Sequence, residues 1–263
     1  MSFSYEELAE IRHYIHQHPE LSGQEYQTTA FLKERLEELG IRILESGLKT
    51  GLIAEIGFGK PVVALRADID ALPILEQTNL PYQSQHPGVM HACGHDFHQT
   101  SLLGAAALLK EKEDQLEGTI RLIFQPAEEI SEGASDVLAT GLLEDVQGII
   151  GFHNMPQLKA GQLALNAGAM MAGVEKFKVT VTGVSSHAAR PDLGVDTVTA
   201  VTTMVQNVQL LISRTISPFE TAVLSITHLD VGSTWNVLPK SGYFEGTIRS
   251  FNPSVQRELK EHF

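Results

Sequence analysis

The sequence predicts an α/β chain, with an open mixed sheet carrying helices on both faces, followed by a smaller α+β module. Three observations predict it. Short apolar runs with strand character at 41–44, 52–56, 61–66, 119–124 and 148–152 alternate with helix-periodic stretches. The runs at 61–66, 119–124 and 148–152 each deliver polar groups at their carboxyl ends: Asp68 and Asp70, Glu128 and Glu129, and His153 with Asn154. In an open α/β sheet that edge is where ligands bind. Beyond a Gly- and Ala-rich stretch at 167–173 the order becomes β-α-β-β-α, a ferredoxin-like module without its final strand. The expected domains are 1–170 and 171–263, and the unfinished module leads us to expect a fragment of a longer protein.

Taken in order, Leu8, Ile11 and Ile15 share one face of an N-terminal helix that ends near His18-Pro19, because the residue before proline avoids the helical region. His13, His16 and His18 read as structural, on and after that helix. A second helix from about Thr28 carries Phe31, Leu32, Leu36 and Leu39, with Gly40 placed to end it. Met90 to His95 reads as extended, which would project His91, Cys93 and His95 to one side. Asp96 stands where an N-cap belongs, ahead of an Ala- and Leu-rich helix reaching Lys112. Residues 161–166 read as one more strand. In the second module, 174–182, 221–229 and 241–249 read as strands, and 194–213 and 254–263 as helices.

At 263 residues and 43% hydrophobic, the chain is long enough for two domains with cores of their own. No apolar run approaches the roughly 20 residues of a membrane span, and residues 1–10 are polar and acidic, unlike a secretory signal. A single cysteine excludes an internal disulfide and suits the cytoplasm, where a thiol stays reduced. A net charge of -13 argues against nucleic acid. The acidity is spread over helix faces such as Glu34, Glu37 and Glu38, which read as solvated surface.

His91 to His98 gathers three imidazoles, a carboxylate and the only cysteine, and reads as a metal site. Singly, these residues have plainer explanations: a buried thiol, turn chemistry at Asp68 and Asp70, helix-start charges at Glu128 and Glu129. Together they favour the metal. With one cysteine no structural four-ligand cage of the zinc-finger kind can form, so an open, catalytic site is expected. Adjacent Glu128 and Glu129 repel unless a cation is near, and a dinuclear centre would supply it. Thiolate, imidazole and carboxylate suit zinc, manganese, cobalt or nickel better than calcium or magnesium. Asp70 and Asp96 are candidates for orienting an imidazole. A cysteine hydrolase using Cys93 as nucleophile is the metal-free alternative.

The motifs Ala64-Leu65-Arg66-Ala67-Asp68-Ile69-Asp70-Ala71-Leu72-Pro73, Met90-His91-Ala92-Cys93-Gly94-His95-Asp96-Phe97-His98 and Phe124-Gln125-Pro126-Ala127-Glu128-Glu129 lie in that order along the chain. With His18-Pro19-Glu20-Leu21, Gly151-Phe152-His153-Asn154, His187-Ala188-Ala189 and Trp235-Asn236-Val237-Leu238-Pro239, they cover essentially the whole sequence. The chain resembles the bacterial N-acyl-amino-acid amidohydrolases, the hippurate-hydrolase-like branch of the aminoacylase/carboxypeptidase metallopeptidase superfamily. The resemblance implies a two-metal hydrolase of N-acyl amino acids, with an α/β catalytic domain and an inserted ferredoxin-like lid or dimerisation domain. It implies Cys93, His95, Glu129 and His153 as ligands of two divalent ions, manganese or zinc first and cobalt or nickel next, and Glu128 as general base. It further implies that His187 reaches an active site across a homodimer to stabilise the oxyanion, and that Asn236 and Arg249 hold the substrate's carboxylate. A last His ligand and the final strands of the family's catalytic domain have no counterpart in these residues. Asp68 stands where other branches place a metal-binding His and is not assigned as a ligand. A dipeptidase, an N-acetyldiaminopimelate deacetylase and a non-catalytic metal-binding or dimerising fragment remain as alternatives.

Overall fold

Ser4 opens the first helix, α1 (Tyr5–Gln17), by a reciprocal cap: its hydroxyl accepts the Glu7 N–H, and the Glu7 carboxylate accepts the Ser4 N–H. The second helix, α2 (Tyr26–Glu38), starts differently. Its N-cap residue is Glu25, whose side chain makes no capping bond. Glu20 takes over that duty, accepting the N–H groups of Gln27 and Thr28 and the Thr28 hydroxyl. The structure, a computed structural model, describes residues 3–263, which fall into two compact units divided between Ala160 and Gly161, earlier than the expected 170/171 boundary.

The first unit is built on strands β1 (Arg42–Leu44), β2 (Leu52–Gly57), β3 (Val62–Asp68), β4 (Thr119–Gln125) and β5 (Val146–Gly151), ordered β1-β2-β4-β3-β5. The sheet is mixed: β1, β2 and β4 pair antiparallel, while β3 runs parallel to both β4 and β5. Alternation along the strands gives it two apolar faces. Leu52, Ala54 and Ile56 of β2 and Leu122 and Phe124 of β4 pack against Leu32 and Leu36 of α2. Leu102, Leu103 and Ala106 of α3 (His95–Lys110) complete that core. On the opposite face Ile53, Ala64 and Ile123 meet Val137 of α4 (Gly133–Ala139). The parallel trio places the carboxyl ends of β3, β4 and β5 side by side, with Asp68 opposite Gln125 and Arg66 opposite Gly151.

In the second unit β6 (Gly173–Thr182), β8 (Ala222–Val231) and β10 (Ser241–Ser250) form an antiparallel sheet ordered β6-β10-β8. Ile216, Leu224, Ile248, Val255 and Leu259 make its core, the last two from α7 (Pro253–His262). A short pair, β7 (Ser186–His187) and β9 (Val237–Leu238), stands apart. The helix expected over 194–213 is two segments, α5 (Thr197–Val208) and α6 (Leu210–Thr215). Its start is set by Asp196, whose carboxylate accepts the Thr199 N–H. Val208 from the first segment and Leu211 and Ile212 from the second pack into the same core. Residues 161–166 form no strand: Leu163 and Leu165 are 85% and 89% exposed, and no ladder receives them.

Candidate metal centre

The cysteine-bearing segment is not extended, contrary to expectation. Met90 bridges Leu72 through both backbone groups, after which the chain bends and Gly94 adopts a left-handed conformation at φ 89° as the N-cap of α3. Only glycine fits there: a Cβ would lie 2.4 Å from the Asn154 side-chain oxygen. His91 joins none of the donor groups; it is buried, with neither ring nitrogen hydrogen-bonded, and burial pushes its pKa down to about 4. Asp96 is not the cap, and it orients no ligand ring. Its Oδ2 accepts from Arg12 Nε at 2.9 Å and from His16 Nδ1 at 2.8 Å, tying α3 to α1. The hydrogen bond to Asp96 above all, aided by Glu76 and opposed by burial, raises the His16 pKa.

His95, the first residue of α3, donates from Nδ1 to the Asp70 carbonyl at 2.9 Å, with Asp70 Oδ1 at 3.2 Å. That fixes the tautomer and leaves Nε2 bare. His95 Nε2 lies 3.6 Å from Asp68 Oδ2 and 3.8 Å from Glu129 Oε1. Both Nε2 and Glu129 Oε1 are buried without a hydrogen-bond partner. His153 repeats the pattern: Nδ1 donates to the Asn154 carbonyl at 2.8 Å, and Nε2 lies 3.3 Å from Cys93 Sγ. Three donor sets result, Cys93/His95/His153, His95/Glu128/Glu129 and Asp68/His95/His98, each with its atoms within 4.8 Å of one another. All three share His95.

The electrostatics of this nest call for positive charge. Burial opposes a charged His95 ring, yet its bond to Asp70 and the neighbouring Cys93 and Asp68 push the pKa up to about 11. Burial, assisted by the charges of Glu128 and Asp70, raises the Glu129 carboxyl despite His95. Burial would raise Asp68 too, but the hydrogen bond from His98 and the charges of His95 and Arg66 outweigh it and hold that carboxyl below the carboxylate range. Buried polar atoms without partners are rare in folded proteins. An imidazole with an unpartnered Nε2 on His95, a second on His153 whose Nε2 meets only the Cys93 thiol, and a carboxylate oxygen on Glu129 are the donors a divalent transition-metal ion takes, so the residues present fit such an ion.

Residues 64–240 match peptidase family M20/M25/M40. The chain belongs to that family. This M20 chain is 48% identical over 259 residues to an N-acetyl-L-cysteine deacetylase of Bacillus subtilis (strain 168), a match covering 98% of the chain and 62% of the relative. It is 38% identical to an N-acyl-L-amino acid amidohydrolase of Geobacillus stearothermophilus, over 95% of the chain and 68% of that protein. Among solved structures, the Bacillus subtilis YXEP protein, described as a dinuclear metal-binding peptidase, superposes with a TM-score of 0.81 at 43% identity. That match covers 97% of this chain and 67% of the other. The M20 chain thus spans 62% of the length of the first curated relative.

Within the first unit the M20 chain gathers Cys93, His95, Glu128, Glu129 and His153 in one nest, with Asp70 beneath it. Asp70 does more than meet the His95 ring: its Oδ2 also accepts the Ser22 hydroxyl at 2.7 Å and the Glu129 N–H at 3.0 Å. His98, counted in the sequence cluster but given no role of its own there, has a definite place. Its Nδ1 donates to Asp68 Oδ1 at 2.6 Å, and its Nε2 lies 2.6 Å from Asn154 Oδ1. The signal available was spacing, since His98 follows His95 by one helical turn and shares its face.

The other three predicted residues belong to the second unit. His187, on β7, accepts the Ala189 N–H through Nδ1 at 3.1 Å, and the Ala188 N–H donates to the Asn236 carbonyl at 3.0 Å. Arg249 is exposed on β10, eight residues beyond Ser241. At the rise of a strand, that is about 26 Å.

Proposed function

We propose that this chain carries the centre of a metal-dependent amidohydrolase that removes the acyl group of small N-acyl amino acids, N-acetyl, benzoyl or related. The observation that carries the reading is the pair of unpartnered buried atoms, His95 Nε2 and Glu129 Oε1, beside the Cys93–His153 contact and next to the half-buried Glu128. The activities of the deacetylase and amidohydrolase relatives, and the dinuclear description of the YXEP protein, support it. Cys93, His95, Glu129 and His153 would hold two divalent ions, manganese or zinc ahead of cobalt or nickel. Bound there, such ions supply Lewis acidity toward an amide carbonyl and lower the pKa of water. Glu128, adjacent to a ligand and half-buried at the edge of the nest, accepts a proton from the attacking water and returns it to the leaving amine. Asp70 holds the His95 ring and the Glu129 backbone in place for that exchange.

We also infer a homodimer formed by the second unit acting as lid, with His187 stabilising the oxyanion. Asn236 precedes β9 and Arg249 lies near the far end of β10, and we infer that a substrate carboxylate meets Asn236 of one copy and Arg249 of the other. Among the described residues no helix is long and apolar enough to cross a membrane. The lone thiol suits a cytoplasmic setting, and the net charge of -13 disfavours a nucleic-acid partner.

The experiment is metal content together with turnover. The parent chain should take up two ions after reconstitution with manganese or zinc, and Glu128→Gln should keep them while turnover of N-acetyl amino acids falls by roughly 100-fold or more. Loss of metal in that variant would reverse the roles of the two glutamates. An inert parent holding two ions would refute the amidohydrolase reading and leave the metal centre standing.

A further inference from the structure

Glu25 is buried with no exposed surface, and among the described residues no cation forms an ion pair with it. A carboxylate so placed needs hydrogen-bond donors, and the two it has are not those of its own helix. Oε1 accepts the Ala127 N–H at 2.8 Å, and Oε2 accepts the Thr50 hydroxyl at 2.8 Å. Glu25 stands at the N-cap position of α2, yet Glu20 satisfies the first amides of that helix. The Glu25 side chain is thereby free to reach the residue immediately before Glu128.

The turn it reaches is an unusual one. Ala127 and Ser131, on either side of Glu128, Glu129 and Ile130, both adopt left-handed backbone, at φ 49° and 61°. Residues with a Cβ seldom do so, and such conformations persist only where the surroundings impose them. Here the surroundings can be named. The Ser131 N–H closes on the Glu128 carbonyl at 2.8 Å, and the Gly133 N–H on the Ala127 carbonyl at 3.1 Å. Gly133 passes so near Pro126 that a Cβ would lie 1.6 Å from its carbonyl oxygen. Outside the turn, two buried carboxylates hold its backbone, Glu25 at the Ala127 amide and Asp70 at the Glu129 amide. Glu128 lies between those two anchors.

We infer that Glu25 is a positioning residue for the Glu128–Glu129 turn: its buried carboxylate holds Ala127 in the left-handed conformation that directs both glutamates into the nest. The roles of those glutamates rest on the function proposed above; the anchoring itself is independent of it.

The test uses the full chain with Glu25→Ala, Glu25→Gln and the double variant Glu25→Ala/Ala127→Gly. It reads amide hydrogen exchange over residues 124–133 in the metal-free protein, zinc affinity by calorimetry, and kcat and KM for an N-acetyl amino acid. Glu25→Ala speeds exchange in that segment, weakens zinc about 10-fold, as loss of a group behind a ligand does, and lowers kcat about 100-fold by misplacing the base, with KM within about twofold. Glu25→Gln restores zinc affinity to within about threefold of the parent, since its amide oxygen still accepts the Ala127 N–H. Glycine adopts the left-handed backbone without help, so Ala127→Gly recovers about 10-fold of the kcat lost in Glu25→Ala. Unchanged exchange and zinc affinity in Glu25→Ala, or a double variant no better than the single one, overturns the inference. If the parent turns over no N-acyl amino acid, the proposed function fails while the exchange and zinc readings still decide the role of Glu25.

Discussion

At the residue scale the centre depends on which nitrogen of each ring is already engaged. His95 and His153 both donate from Nδ1 to a backbone carbonyl, so both present Nε2. Gly94 controls the approach of the two segments that carry them, because its missing Cβ lets the Asn154 side chain lie against the chain between Cys93 and His95. Gly94→Ala adds a carbon 2.4 Å from Asn154 Oδ1 at a positive φ. We expect zinc affinity to fall about 10- to 100-fold while far-UV circular dichroism is unchanged; an unaltered affinity would show that Asn154 moves aside freely. Much of this centre was legible in the sequence, because Cys93, His95, Glu129 and His153 each follow a strand or open a helix at the same sheet edge. The extended reading of 90–95 failed because it ignored what a glycine before a helix can do. The role of His98, and Glu25 altogether, escaped for another reason: their partners lie 30 and 102 residues away, and only the fold brings them near.

Among the elements, the longer strands were legible to within a few residues, from apolar runs in the first unit and from alternation in β6, β8 and β10; β7 and β9, of two residues each, and α4, a seven-residue helix beginning at glycine, have too little periodicity to declare themselves. One interaction stitches β1, β2 and β4 together across that apolar sheet. Glu55 of β2 accepts Arg121 Nε of β4 at 3.0 Å and Arg42 Nη2 of β1 at 2.5 Å, and Arg121 also reaches Asp145 at 2.6 Å. Burial pushes the Glu55 carboxyl up, but the hydrogen bonds from Arg42 and Arg121 outweigh it and hold the pKa below its ordinary 4.5. A lowered folded-state pKa contributes stability above the unfolded value and loses it as pH falls through the folded one. The chain should therefore lose stability on acidification below 4.5, and Glu55→Gln should flatten that part of the urea-midpoint profile; an equally steep profile in the variant would assign the acid sensitivity elsewhere. Arg121→Met, which leaves Glu55 buried with one partner fewer, should cost about 3 kcal/mol by the same measurement.

For the whole molecule, the proposed dimer makes a prediction that single chains cannot imitate. If a substrate takes Asn236 from one copy and Arg249 from the other, Asn236→Ala and Arg249→Ala are each nearly inert. Mixing and re-equilibrating the two should restore about a quarter of the parental activity, since half the dimers are mixed and one site in each is intact. No recovery on mixing would place both residues at the same copy's substrate or at none. The wide separation of the contacts around the nest bears on the order in which the molecule matures. Cys93 meets His153 across 60 residues, Glu129 meets Asp70 across 59, and Ala127 meets Glu25 across 102. Contacts this distant close late, after the chain entropy of long loops has been overcome. The segment from His91 to His98, by contrast, offers its thiol and imidazoles to an ion from the moment the chain is unfolded, and metal bound to an unfolded chain opposes folding. Refolding in excess zinc should accordingly run slower than refolding in chelator followed by zinc. For a cell making this protein, the timing of metal supply would then matter as much as its amount.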